Sequence, residues 1–336
     1  MTPENDNFTG IMKKKTLDIE NVFIVKKNLE EYISNTPLVF STNLSRHSGA
    51  SVYLKMENLQ PTGSFKVRGA LNKLIGLTKA EKSIGLVVAS AGNHALGTAY
   101  AAKKLGIRNL TIFVPLNCSP VKLEKLSSYP IELKQAGDSY DEAVEAAEEH
   151  QRRRGSIMIL AYDDLEIIAG QATVGLEIMN QLPVVDVVIT PVGGGGLLAG
   201  VATALHALKP KIDIFGIQPS ASPSAFLSFR DGIAYDPYEH EPTIADGLAG
   251  GFGKTPFEIT KELIEKIILA SEDETGEAVL WLIENEQIVA EPSGAISIAP
   301  LLSSELDLAG KTVVCIISGG NLSLTLLRKL LNSEDG

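Results

Sequence analysis

The chain of 336 residues is expected to be an α/β protein: two interleaved domains, each an open twisted, mainly parallel sheet flanked by helices. Three observations predict it. Short apolar runs alternate with helix-period patterns from end to end. The candidate strands are continuously apolar, as strands buried on both faces are, rather than alternating apolar with polar. Several runs lead directly into glycine-, serine- or proline-bearing loops that open a helix, the order of a βα unit.

Taken in order, residues 52–56 read as a strand, followed by the loop from Gln60 and a helix through Leu74. A strand at 84–89 precedes a helix at 93–105, where small and apolar residues recur at helical spacing. A strand at 110–114 and a charged helix at 138–153 come next. A strand at 186–190 leads through glycines into a helix at 197–208 and a strand at 212–217. Last come a strand at 311–317, a turn at Ser318, Gly319 and Gly320, and a helix at 322–331. Residues 220–255 carry Pro, Gly, Ser and isolated aromatics without a clear period, and long irregular segments of compact proteins are commonly functional. With no repeat and no obvious linker, two domains would have to be interleaved rather than strung in series.

Composition narrows the function classes. The formal net charge is −11, which argues against a nucleic-acid partner, since such binders present a basic face. The dense basic run Arg152, Arg153, Arg154 follows an acidic stretch and reads as a solvated helix end. Cys118 and Cys315 are far apart, so neither a disulfide framework nor a paired metal-ligand spacing can be built from them. Cys315 sits in an apolar run and reads as a core residue. The five histidines His47, His94, His150, His206 and His240 lack zinc spacing. No run of apolar residues is long enough to span a membrane. Residues 1–6 are polar and acidic, unlike a signal peptide, so a reducing, cytoplasmic setting is the default expectation.

Three loops stand where open α/β sheets bind ligands, beyond the carboxyl ends of strands. In the first, Pro61 and Gly63 force a turn and Lys66 falls in the first helical turn. The helix dipole disfavours a cation there. That field, with burial, would leave a neutral amine suited to Schiff-base chemistry; a surface lysine is the plain alternative for this loop alone. In the second, Ser90, Ala91, Gly92, Asn93 and His94 place backbone N–H groups at a helix start, fit for a carboxylate. An ordinary Ser/Asn cap is the alternative, and His94 could equally be a core histidine. In the third, Gly193, Gly194, Gly195 and Gly196 leave no Cβ between a phosphate and the helix beginning at Leu197. Gly194-x-Gly196-x-x-Ala199 also fits the loose dinucleotide fingerprint of a nicotinamide oxidoreductase. Its acid, Asp213, however, would begin the next strand instead of ending it. That reading also leaves Lys66 unexplained, and no Lys-Ser/Thr follows the glycines as a P-loop requires.

Taken together, residues 61–66, 90–94, 193–196 and 318–321 resemble, in order, the motifs of the fold-type II pyridoxal phosphate (PLP) enzymes, the tryptophan synthase β family. The resemblance spans nearly the whole chain. It implies a large cofactor-binding domain at 1–83 and 162–336 and a small mobile domain at 84–161 carrying the carboxylate loop. It implies a Schiff base of PLP on Lys66, with Phe65 against the ring and Asn93 on the ring oxygen. Gly193 to Gly196 and Leu197 would hold the phosphate, and Ser318 with Gly319 would face the pyridine nitrogen. Gly247 and Glu291 match segments lining the cofactor cleft, with a capping or surface position as the equal alternative for Glu291, and Ser90 to His94 would hold the substrate carboxylate.

Lys66-Val67-Arg68-Gly69-Ala70 resembles the threonine and serine dehydratase branch. That branch eliminates the hydroxyl and amine of a small hydroxy amino acid, such as L-threonine or L-serine, giving a 2-oxo acid and ammonia. Serine racemases typically carry serine at the position of Ala91 as a second acid/base. Racemisation, or ammonia-lyase action on hydroxyaspartate or phenylserine, is the alternative on this scaffold. Gln218 stands where racemases carry a glutamate cation ligand, with Ser222 and Ser224 at the neighbouring ligand positions, so no divalent metal is expected and a weak monovalent site stays open. The chain ends soon after the last helix, which implies no regulatory domain. Most relatives are homodimers.

Overall fold

The computed structural model describes residues 17–333; the signal-peptide reading of residues 1–6 lies outside them. Two sheets organise it. The larger has six strands in the order β1-β2-β10-β7-β8-β9: β1 (Leu38–Phe40), β2 (Ser51–Lys55), β10 (Thr312–Ile316), β7 (Val187–Pro191), β8 (Asp213–Pro219) and β9 (Lys266–Ala270). All pairings in it are parallel except β1 on β2. The smaller is wholly parallel, in the order β5-β4-β3-β6. Its strands are β3 (Leu86–Ala89), β4 (Leu110–Val114), β5 (Glu132–Gln135) and β6 (Ile157–Met158).

The continuously apolar strands are buried on both faces, as their composition requires. One core lies on the face of the large sheet that carries the helix Glu272–Glu286. A second lies on the opposite face, under Leu165–Gln181 and Gly196–Leu208. A third joins the small sheet to the helices Lys66–Gly76 and Asn93–Lys104. Cys315 is fully buried in β10. Arg152, Arg153 and Arg154 end the helix Tyr140–Arg154 in solvent, where cations complement its dipole.

Three expectations are corrected. Ile84 does not start a strand; it closes the helix Lys79–Ile84, opened by a capping box of Thr78 and Glu81. Leu322 precedes the last helix, which begins at Leu324. The segment 220–255 is not wholly irregular but contains the helix Ser224–Asp231. That helix has no local cap. The Gln218 side-chain oxygen accepts from the amides of Ala225 (2.9 Å) and Phe226 (3.2 Å) instead, a link invisible to local pattern. Among the described residues, no helix is long and apolar enough to cross a membrane.

Topology places the site. Strands β2, β10 and β7 are adjacent and parallel, with Ile316 beside Lys55 and Cys315 beside Ile189. Their carboxyl ends therefore send three loops out at one edge: the Lys66 loop, the Ser318 turn and the glycine run.

Candidate active site

Backbone hydrogen bonds zip the Lys66 loop to the Ser318 turn. Phe65 N–H donates to the Ser318 carbonyl at 3.1 Å and Gly320 N–H to that of Gly63 at 2.8 Å; Ser64 and Gly319 form a bridge. Lys66 opens its helix, with Phe65 at the cap. Its Nζ lies 5.2 Å from the Phe65 ring centre and donates to the Ala161 carbonyl at 3.1 Å. Burial pushes its pKa down to about 8. An amine so placed is neutral in a useful fraction of molecules near neutral pH.

The small sheet supplies the facing wall. After β3, Asn93 begins a helix with no side-chain cap. Its Nδ2 donates to Glu291 Oε1 at 2.5 Å, and its Oδ1 accepts from Asn321 Nδ2 at 2.7 Å. The amide is thus fixed at both ends. Ser90 Oγ accepts from Gly92 N–H at 3.2 Å, shaping the loop. Ala91, half-buried, packs against the small-sheet core. His94 is buried, with Nε2 2.9 Å from the Ile159 carbonyl. A carbonyl only accepts, so Nε2 carries the proton. Burial first, and then the Lys66 charge, lower its pKa to about 4, so it is a neutral, satisfied core histidine.

Glu291 is buried, at 9 % exposure. Burial raises its pKa to about 7, partly opposed by the Asn93 hydrogen bond. It is neither a surface carboxylate nor a side-chain cap for its helix. A Cβ on Gly319 would lie 1.9 Å from its Oε1, so glycine is required there. Ser318 Oγ donates to the Ser293 carbonyl at 3.1 Å.

The glycine run opens the helix Gly196–Leu208 without a side-chain cap. Its first-turn amides have no intrahelical acceptor. Gly195 is left-handed, at φ +87°, and a Cβ there would meet Phe252 at 2.3 Å; one on Gly194 would meet the Tyr162 ring at 2.2 Å. Gly247 lies behind the run: its N–H donates to Ser293 Oγ at 3.0 Å and its carbonyl backs Gly193.

Sequence reasoning missed several of these neighbours. Tyr162 lies over the glycines and donates to both Asp236 oxygens, at 3.1 and 3.2 Å. Gly97 lets the Asn93 helix approach the Lys66 backbone, a Cβ there standing 3.1 Å from the Lys66 carbonyl carbon. Only a small residue one turn after Asn93 hinted at that approach; nothing local pointed to Tyr162.

An aldehyde-bearing pyridine phosphate fits this donor set. It needs an amine, a polar contact for its ring oxygen and a helix start for its phosphate, and Lys66, Asn93 and the glycine run offer them. Ser64, fully buried two residues before Lys66, has a hydroxyl with no partner. No cluster of three or more His, Cys, Asp or Glu suited to a metal occurs among the described residues. Around Gln218, the position left open for a monovalent cation, Gln218 Nε2 donates to Ser224 Oγ at 3.2 Å, and Ser224 Oγ to the Gly250 carbonyl at 2.7 Å.

Comparison with known proteins agrees. The chain is 40% identical over 317 residues to an L-threonine ammonia-lyase of Thermotoga maritima, covering 94% of this chain and 78% of that protein. It is 38% identical over 320 residues to the catabolic L-threonine dehydratase of Escherichia coli, covering 94% of this chain and 97% of the other. The structure of maize serine racemase superposes with a TM-score of 0.87 at 30% identity, over 95% of this chain and 98% of that one. Residues 29–319 match the family model described as pyridoxal-phosphate dependent enzyme. With a match of that span enclosing Lys66, Asn93 and the glycine run, the chain belongs to the family of pyridoxal-phosphate dependent enzymes.

Proposed function

We propose that the protein is an ammonia-lyase that removes the hydroxyl and amine of a small hydroxy amino acid, L-threonine or L-serine, yielding a 2-oxo acid and ammonia. The observation carrying this reading is the Lys66 amine. It is held on a neutral carbonyl, with its pKa lowered to about 8, between the glycine run and the Asn93 wall. The names of the relatives from Thermotoga maritima and Escherichia coli support threonine as substrate.

In this reading the Lys66 amine would hold the cofactor and, as a free amine, takes the Cα proton of the substrate as general base. The cofactor, when bound, stabilises the carbanion at Cα. Backbone amides of the loop from Ser90 to His94 hold the substrate carboxylate. His94 stays neutral and keeps its proton on the Ile159 carbonyl, so it takes no part in proton transfer. The amides of Gly194 to Leu197 receive the phosphate, Phe65 borders the ring, and Asn93 presents its amide to the ring oxygen. Ser318, a neutral hydroxyl, leaves the ring nitrogen without a carboxylate partner. Water lost at Cβ is regained when the released enamine hydrolyses to the oxo acid and ammonia.

We assign residues 84–161 to a small, mobile domain and 1–83 with 162–336 to a large one; the confinement of β3 to β6 to the first span supports the division. The free cysteines are in keeping with a cytoplasmic setting. Exposed Phe23, Ile24 and Phe40 support self-association as a homodimer, which sedimentation measures.

Racemisation is the second reading, favoured by the likeness to maize serine racemase. Ala91 argues against it, because its methyl group has no proton to transfer. The test is direct. Purified protein should be yellow, and borohydride should fix the cofactor to Lys66. L-threonine and L-serine should yield 2-oxo acids. A colourless protein that takes up no PLP overturns the assignment; D-serine formation without oxo acid moves it to the racemase branch.

A further inference from the structure

Two residues beyond Lys66, Arg68 is fully buried, and each of its five N–H donors has an acceptor. Nε and Nη2 reach the two Glu57 oxygens, both at 2.7 Å. Nη1 and Nη2 reach the two Glu177 oxygens, both at 2.8 Å. Nη1 also donates to Thr173 Oγ1 at 3.0 Å. Lys55 balances the charge: its Nζ donates to Glu177 at 2.6 Å, to the Thr36 carbonyl at 2.8 Å and to Gln181 at 3.1 Å. Two cations and two anions are thereby sealed beneath the site. Such a cluster is a poor means of gaining stability, because apolar residues of similar volume often do as well. Its geometry is more informative. Glu57 begins the loop and Arg68 ends it, so one guanidinium closes the loop that holds Lys66 and fastens it to the helix Leu165–Gln181. Residues two apart on a helix point about 200° apart. Drawing Arg68 into the core therefore turns Lys66 outward to the cleft.

We infer that Arg68 is the positioning residue of Lys66: its paired grip on Glu57 and Glu177 sets the rotation of the first helical turn and holds the Lys66 amine in its desolvated place. This deepens the reading of Lys66 as the cofactor-bearing amine and rests on it. A lysine at 68 would keep the charge but lose the planar fork.

The test reads the Lys66 amine in cofactor-free protein, by acylation of Lys66 against pH with peptide mapping, and PLP affinity separately. Arg68→Lys is compared with Leu74→Ala, which opens a cavity in the same helix. In Arg68→Lys the acylation midpoint should rise from near 8 toward the ordinary lysine range by about one pH unit or more. PLP affinity should fall roughly tenfold, and Leu74→Ala should leave the midpoint in place. An unmoved midpoint in Arg68→Lys, or an equal shift in Leu74→Ala, overturns the inference. If Arg68→Lys does not fold, Thr173→Val removes one acceptor of the fork. A smaller shift in the same direction supports the inference, and a wild-type midpoint refutes it. Wild-type protein that binds no PLP would sink the proposed function while the acylation midpoint still reads the clamp.

Discussion

Asn93 and Glu291, 198 residues apart in the chain, share a hydrogen bond of 2.5 Å that joins the small-sheet wall of the site to the large-sheet side. Glu291 keeps its proton up to about pH 7 because burial penalises the charge. The folded state therefore binds more protons than the unfolded chain between the ordinary carboxylate range and pH 7. Stability contributed by this group is fully present below that window and is lost as pH rises through it, on the order of 3 kcal/mol at full ionisation. Glu291→Gln should remove that loss. Relative to wild type, its melting temperature should gain between pH 5 and pH 8. His94 acts with opposite sign, being depressed to about 4, but it is common to both proteins and cancels. Parallel melting curves for the two proteins would refute the assignment.

Lys66 is held in a place that disfavours its own charge. Its folded pKa is lowered, so the stability it withholds at neutral pH returns only as pH rises above about 8. Lys66→Met should raise the melting temperature of the cofactor-free protein at pH 7 while abolishing oxo-acid formation. Calorimetry and a coupled assay on one preparation decide it; a lower melting temperature would show that the amine is stabilising.

Gly194 faces the Tyr162 ring, with 2.2 Å for any added Cβ. Gly194→Ala should cost about 1–3 kcal/mol by overpacking and weaken PLP binding. Adding Tyr162→Ala should restore most of the lost stability. A double-mutant cycle with no coupling would place the clash elsewhere.

Gln218 caps the helix Ser224–Asp231 with its own side chain. Chelation by EDTA is accordingly expected to leave turnover and melting unchanged, whereas Gln218→Ala should cost about 1–2 kcal/mol through loss of the cap. A melting temperature that drops in EDTA would reveal a bound cation.

Ala91 supplies no proton donor beside the loop proposed for the substrate carboxylate. Ala91→Ser should bring measurable D-serine from L-serine, read by chiral chromatography, against none from wild type. Absence of D-serine from the variant would mean that residue 91 does not face Cα.

Much of the site was legible because its chemistry is local. Glycine at 193–196, a lysine after Pro-Thr-Gly-Ser-Phe and the serine turn at 318 each follow a strand, and parallel strands bring such loops to one edge. What escaped depends on partners far along the chain. The charges joined by Arg68 lie 11 and 109 residues away, the helix at 224–231 takes its cap from Gln218, and Tyr162 covers glycines that follow it by more than thirty residues. Resemblance pointed Glu291 toward the cleft, but its burial, which decides between that and a capping or surface role, was not legible, because burial is a property of the packed molecule and not of a four-residue pattern. The strands β1, β5, β6 and β9 were also missed, being short or lacking a clean apolar run.

Residues 161–164 connect β6 to the helix Leu165–Gln181. Ala161 accepts the Lys66 amine, Tyr162 lies on the glycine run, Asp163 Oδ1 accepts from Thr255 N–H at 3.0 Å, and Asp164 caps the helix and pairs with Lys73. Four consecutive side chains or carbonyls thus touch the Lys66 amine, the glycine run, the Thr255 amide and the start of the helix Leu165–Gln181. Anchors that the fold draws from four separate stretches of chain hang on one short strap of backbone, so a substitution that misplaces the strap is expected to disturb all four at once.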